Sequence, residues 1–479
     1  MVTIERETYY TLDEINSLIS NGQVAAANQW EVYELSYNSG FSVGWNLCRM
    51  FVNKHTGAVT GILGMEGMSG SSNNTILTNS NLGIHADMKI KWPGLQVYTT
   101  TTSAASAATK KAASLFNIRV ETDGTFIGQG HGFTRSELET HIENFFYIGS
   151  KYGKITTEDA KPIYLPEGTF YNKNAVDLLT GKAWFKYTVP LNSEAYTDDS
   201  SLTFYKNLWS AECIVQYDLK PVTANTYPSI SVPNRFMPYL NLTLYPKIRY
   251  LSPASSNTQA KERCYIRLGG NEFYLGGVPS GTTRITGSNF YIGVEEGAIG
   301  LDTETGKGLW NRDASVQVPS AENTVFGNLR DNNISRVDIT GMIVSGYVKR
   351  DGYQCHVIRS RTGMVNFAAA MKVNSTTLAD PLFNNFTAAW RPSYKYRRST
   401  ITASGVQTVY FASPSFMSLV VDTTPSHRSY TANICLRTNQ TSGGDDAKIK
   451  APSYGTTGNI SPTVGNNLIW QGWYLADNT

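Results

Sequence analysis

Cleaving a glycosidic bond takes two carboxyl groups held about 5–9 Å apart across a groove. The close acidic pairs in this chain are Asp198-Asp199, Glu295-Glu296, Asp302 with Glu304, and Asp445-Asp446. Adjacent residues on a strand point to opposite faces, so neighbouring acids there do not aim at one bond. Asp302 and Glu304 stand in LDTETGKG, a polar hairpin-turn sequence. The six histidines (His55, His85, His131, His141, His356, His427) form no HxH or HExxH and no Cys/His pairing at metal-ligand spacing. Asp445-Asp446 follow Gly443-Gly444 but lack the further spaced acids of a calcium loop. Cys355-His356 are chain neighbours, whereas a nucleophilic dyad needs neighbours in space. The glycine-rich stretch GILGMEGMSGSS (61–72) lacks the strand–GxxxxGK[ST]–helix pattern of a phosphate cradle. The expectation is a chain without catalysis, metal or cofactor.

Aromatic chemistry is what remains. Indole and phenol faces accept the C–H groups of sugar rings, while Asn, Asp and Arg satisfy the hydroxyls. Trp390, Arg391, Tyr394, Tyr396, Trp470, Trp473 and Tyr474 gather such groups near the carboxyl end, and they are the candidate glycan or receptor contacts. The alternative for each is packing in a core or a subunit interface. Trp390 and Arg391 read as loop-borne, where binding groups sit over a rigid scaffold.

Composition fits recognition by neutral surfaces. Of 479 residues only 16% are charged, against ~25% in an average soluble protein. The hydrophobic share is 41%, so Thr, Ser, Asn, Gly and Tyr fill the difference, with 28 Tyr and nine Trp. A net charge of +3 is too weak to argue for nucleic acid or an anionic membrane. No run of apolar residues reaches the roughly 18 of a membrane span, and MVTIERETYY is not read as a secretory signal. Five single cysteines without CxxC read as reduced thiols of a protein made in a cytosol.

The elements that must position these residues are mainly strands. Leu242, Leu244, Ile248 and Tyr250 alternate with Thr243, Lys247 and Arg249, a half-buried strand in which Pro246 marks an edge or a bulge. LTFYKNLW, CIVQYDL, RCYIRL, VDITGMIV, TVYFAS and SLVVDT are similar runs between turn residues, at the spacing of sandwiches and barrels. Helix signals are few: a capping box at Thr11–Glu14 opening TLDEINSLIS, another at Thr134–Glu137 opening TRSELETHIENFFYIG, and a weaker stretch at 103–115 that also reads as loop. The fold class expected is mainly β, several sandwich or jelly-roll-like modules with a few short helices.

SGFSVGWNLCRMFVNKHTGAV (39–59) is echoed by SGYVKRDGYQCHVIRSRTGMV (345–365): Ser-Gly-aromatic, a glycine, a cysteine, then Thr-Gly-x-Val. Coincidence in a low-diversity β sequence is one reading and two related modules the other. Three units follow: residues 1–130 as an amino-terminal β module, 131–335 as a central β domain opened by a short helix, and 336–479 as a carboxyl-terminal β head.

That last unit resembles the receptor-binding head modules at the tips of phage tail fibres and baseplates. The likeness rests on the order of Val337-Asp-Ile-Thr-Gly-Met-Ile-Val-Ser-Gly346, Arg361-Thr-Gly-Met-Val365, Trp390-Arg-Pro-Ser393, Gly465-Asn-Asn-Leu-Ile-Trp470 and Gly472-Trp-Tyr-Leu-Ala476. The loop before Arg391-Pro392 is longer than in such heads, and residues 438–458 form an insertion. The resemblance implies a non-enzymatic virion protein of the phage tail, made in the bacterial cytoplasm. It also implies a homo-oligomer, a trimer above a hexamer, contacting other tail proteins and a host surface glycan or envelope receptor. A purely architectural tail protein (sheath, collar or baseplate) or head decoration protein is the alternative. A polysaccharide depolymerase is the third reading, against which stands the absence of a long run of regular short strands.

Overall fold

The computed structural model describes residues 10–11, 14, 17–18, 30–34, 42–66, 74–78, 94–99, 111–120, 125–129, 141–149, 152–157, 170–171, 173–223, 226–240, 242–244, 247–250, 265–278, 282–293, 334–353, 355–376, 381–383, 390, 398–401, 408–411, 415–423, 426–432, 435–436, 449–450 and 463–476. Within them the chain is mainly β, as the sequence leads one to expect.

A first antiparallel sheet runs in the order β1 (Trp30–Glu34), β2 (Ser42–Asn53), β3 (Ala58–Glu66) and β4 (His141–Ile148). Met50, Phe51, Val52 and Asn53 are all buried, so this end of the sheet is covered on both faces. Residues 74–129 contribute a separate four-stranded sheet between β3 and β4.

The central unit is a six-stranded sheet of β5 (Lys154–Thr157), β6 (Ala183–Thr188), β7 (Ser201–Lys206), β8 (Glu212–Leu219), β9 (Lys247–Tyr250) and β10 (Thr282–Ile292). The spatial order is β5-β6-β7-β8-β10-β9, antiparallel except for β5 with β6. Helix α1 (Lys173–Leu179) lies between β5 and β6, and Lys154 and Lys173 both pair with its buried Asp177. A four-stranded sheet of Ile230–Ser231, Glu272–Gly276, Tyr265–Gly269 and Leu242–Leu244 supplies Ile266, Leu268, Phe273 and Leu275 to the core that Phe204, Val215, Tyr217 and Leu219 share. This is a sandwich: two sheets bury alternating side chains against each other.

The third unit is a seven-stranded sheet of β11 (Ile334–Asp338), β12 (Tyr347–Lys349), β13 (Cys355–Ser360), β14 (Met364–Val373), β15 (Ser415–Thr423), β16 (Ser426–Ala432) and β17 (Asn467–Leu475). Its order is β11-β13-β14-β17-β15-β16, with β12 also on β14. Phe383, from an adjoining five-stranded sheet, packs into the core of Val357, Val365, Phe367 and Met371.

Several expectations are corrected. TRSELETHIENFFYIG is not a helix over its second half: His141–Ile148 is strand β4, paired from Ala58↔Ile148 to Met65↔His141. Aromatic and β-branched residues there favour a pleated, buried surface over a helix; Thr134 to Glu137 lie outside the described residues. Strand β4 closes the first sheet on β3. Of the 103–115 stretch, read as a short helix or a loop, residues 111–115 belong to the strand Lys111–Val120, and 103–110 lie outside the described residues. VDITGMIV is not one strand; β11 ends at Asp338 and Thr340–Met342 is a 3₁₀ turn. The run around Pro246 is two strands, not one, but both stand at edges as its proline led one to expect, one in each central sheet, with a register shift at Arg249/Tyr250. Of the first expected helix, Glu14, Ser17 and Leu18 are described and helical.

Candidate functional site: a buried hub and an exposed tip

Four tight turns, drawn from all three units, meet at one place. The β2–β3 turn is set by Asn53, whose side-chain oxygen accepts the backbone N–H groups of His55 and Thr56 at 3.0 and 2.9 Å. It exits through Gly57 at φ +73°. At the end of α1, Thr180 bonds back to the carbonyl of Val176 and the chain leaves through Gly181 at φ +83°, the left-handed stop that glycine accommodates. The β7–β8 turn repeats the asparagine device: Asn207 accepts from the Ser210 N–H at 3.1 Å and donates to the Gly181 carbonyl at 2.9 Å. The β13–β14 turn is Ser360 to Gly363, again with a left-handed glycine.

These turns interlock through their carbonyls. Trp184 Nε1 donates to Thr56 O at 2.7 Å, and His55 Nε2 lies 2.6 Å from Thr180 O, which requires its proton on that nitrogen. Trp30 Nε1 donates to Thr362 O at 2.8 Å. Each bond crosses from one unit to another and satisfies a carbonyl that a buried turn would otherwise leave bare. Trp209 sits at the middle, its ring 4.8 Å from that of His55 and 5.2 Å below the Arg361 guanidinium. In a second cluster Phe146 of β4, Phe290 of β10 and Trp473 of β17 meet at 4.6 to 6.0 Å, so each main sheet gives one ring.

Glu212 completes the hub. It is fully buried, and its Oε1 accepts the hydroxyls of Ser360, at 2.6 Å, and Thr362. Burial pushes its carboxyl up to about 7, against the opposing pull of the hydroxyls. Burial also holds Arg361 down at about 10.

The seven-stranded sheet runs outward from this hub. The ten residues of β14 cover roughly 30 Å at a strand's ~3.3 Å per residue. At its far end lie Val348, Tyr353 and Val464, which are 42%, 45% and 52% exposed; among the described residues only one other large hydrophobic, Val222, is exposed to this degree. The Arg350 guanidinium stands 4.2 Å over the Tyr353 ring. The tip turns are fixed: Asn374 N–H bonds Gly346 O, Gly465 N–H bonds Val373 O, and Asn466 Oδ1 accepts both the N–H and the hydroxyl of Thr463.

The candidate contacts divide. Trp473 and Tyr474 are 2% and 0% exposed: Trp473 packs against Phe146 and Phe290, and Tyr474 donates its hydroxyl to the Trp390 carbonyl. Trp390 is half-buried against the same core. Trp470 is a β17 position paired with Ala369 and Leu419. Arg391, Tyr394 and Tyr396 lie outside the described residues. Sequence reasoning missed Arg350 and Tyr353, although Asp351-Gly352 before a tyrosine is a turn signal that places the ring on a loop. It also missed Glu212, for which no local signal exists. Cys355 is buried, and burial pushes its thiol up to about 11, away from the thiolate form. Among the described residues no group of His, Cys, Asp or Glu is placed to hold a metal ion, and no helix is long and apolar enough to cross a membrane. Comparison of the chain with protein-family models, with curated proteins and with solved structures finds no match.

Proposed function

We propose that this chain is a non-enzymatic structural protein of a phage particle, a tail appendage that meets the host surface with the hub-distal end of its C-terminal sheet. The observation that carries this reading is the polarity of that sheet: one end is locked into a buried hub, and the other presents Val348, Tyr353 and Val464 to solvent. The tyrosine ring offers an apolar face for sugar C–H groups, and Arg350 beside it offers donors for hydroxyls. Contacts of this kind are weak singly, and many copies on one particle multiply them. The low charge suits subunit contact, with a trimer as the assembly the sequence resemblance implies.

The test is Arg350→Ala with Tyr353→Ala. The Tyr353 side chain is exposed, so thermal unfolding should stay within a degree or two of the parent while adsorption to host cells falls by roughly tenfold or more, the size expected for loss of a contact hot spot. Parental adsorption by correctly folded double-variant particles rejects the tip as the docking end.

A further inference from the structure

Glu212 opens β8 at the hub, and the bonds it makes are all to the other side of a unit boundary or to its own turn. Ser360 and Thr362 of the C-terminal sheet donate to Oε1, while Oε2 has no hydrogen-bond partner among the described residues. No cation pairs with it there either. With the hydroxyls of Ser360, Thr362 and Ser210 as its polar neighbours, the carboxyl is wholly shut off from the surface, and a charge buried without a counter-ion is a far worse state there than a neutral acid.

We propose that Glu212 is a proton-operated clasp between the central and C-terminal sheets: as the neutral acid it holds the Ser360–Gly363 turn against β8, and release of its proton to solvent opens that contact. The clasp is independent of the attachment reading. The direction of its titration agrees, since burial raises the carboxyl to about 7. Among the described residues the titratable groups near it include Arg361 on the clasped turn, which stays cationic, Tyr291 and Cys213 on the paired strands, with Tyr291 pushed further towards its neutral form, and the buried Lys206 of β7, whose ammonium donates to the Arg235 carbonyl at 2.6 Å. Across Trp209 stands His55, whose ring burial holds below its ordinary pKa.

The sign follows from proton linkage. Between pH 4.5 and about 7 the folded protein keeps the Glu212 proton that the unfolded chain has lost, so folded stability falls as pH rises through this window and levels off above it. His55 works in the opposite sense, losing stability as pH falls, and is common to parent and variant. The experiment is urea unfolding of the full chain and of Glu212→Gln from pH 5 to pH 8. Relative to the variant, the parent's unfolding constant should grow roughly a hundredfold across that range, because the carboxyl shift exceeds two pKa units at tenfold each. Amide exchange at Ala476, which donates to Gly363 O, should rise at pH 8 in the parent and not in the variant, after correction for intrinsic rate. A parent-to-variant ratio that is flat over pH 5–8 overturns the proposal. Should Glu212→Gln fail to fold, Thr362→Val serves: losing a donor to the carboxylate should move the parent's midpoint to higher pH, and an unmoved midpoint is equally fatal.

Discussion

At Trp473 a broad apolar ring qualifies an indole for sugar contact and for a core position alike, and neighbouring residues decide between the two. The neighbours here are Phe146 and Phe290 from two other sheets. Trp473→Ala should therefore cost on the order of 3–5 kcal/mol of stability, read by urea denaturation, because a large side chain leaves a cavity that rigid sheets cannot close. Binding per folded molecule should not change. Aromatic content and the approximate place of the last strand were legible in NLIWQGWYL, since aromatic and β-branched residues favour strands. Which rings face solvent was not legible. That depends on Phe146, more than three hundred residues away, and on the exposed Tyr353, which stands in a different loop.

Among elements, the strands of the central sheet show how local pattern and long-range pairing share the work. CIVQYDL reads as a strand, and it is β8, but nothing local says that Asp218 meets Arg284 of β10 in a two-pronged ion pair at 2.7 and 2.5 Å. Both side chains are nearly buried, so the pair is shielded from water. Asp218→Ala should cost about 3–5 kcal/mol by removing the carboxylate from a buried two-pronged pair, whereas Asp218→Leu with Arg284→Met should cost less than the sum of the singles. A thermodynamic cycle of the four proteins measures this, and additive losses would mean that the charges do not support one another. The helix expected from Thr134 does not extend over His141–Ile148 for the matching reason. A capping-box sequence is local information, while His141–Ile148 forms a ladder with β3, nearly eighty residues earlier, and that ladder decides its conformation.

For the whole molecule, the echo between residues 39–59 and 345–365 marks two hairpins that both turn on Thr-Gly, at Thr56-Gly57 and Thr362-Gly363, and both turns point into the hub. Thr180-Gly181 supplies a third such corner. The sequence shows the corners because a left-handed turn demands glycine; it does not show that they meet, since the bonds joining them run from Trp30, His55 and Trp184 to backbone carbonyls, which any residue presents. Such cross-bracing makes the units answer for one another's stability. Trp30 and Glu212 grip the same turn from different sheets, one through the Thr362 carbonyl and one through its hydroxyl. Loosening either grip lets the turn shift and weakens the other. Trp30→Phe should therefore destabilise by about 1–3 kcal/mol, the cost of leaving the buried Thr362 carbonyl unpaired, and Thr362→Val by about 0.5–1.5 kcal/mol, the loss of one donor to Glu212 while Ser360 keeps the other. Their double variant should lose less than the sum, with a coupling of about 0.5–3 kcal/mol. Fluorescence and circular dichroism should follow a single unfolding transition in the parent, and separate transitions there would show that the hub does not bind the sheets into one cooperative unit.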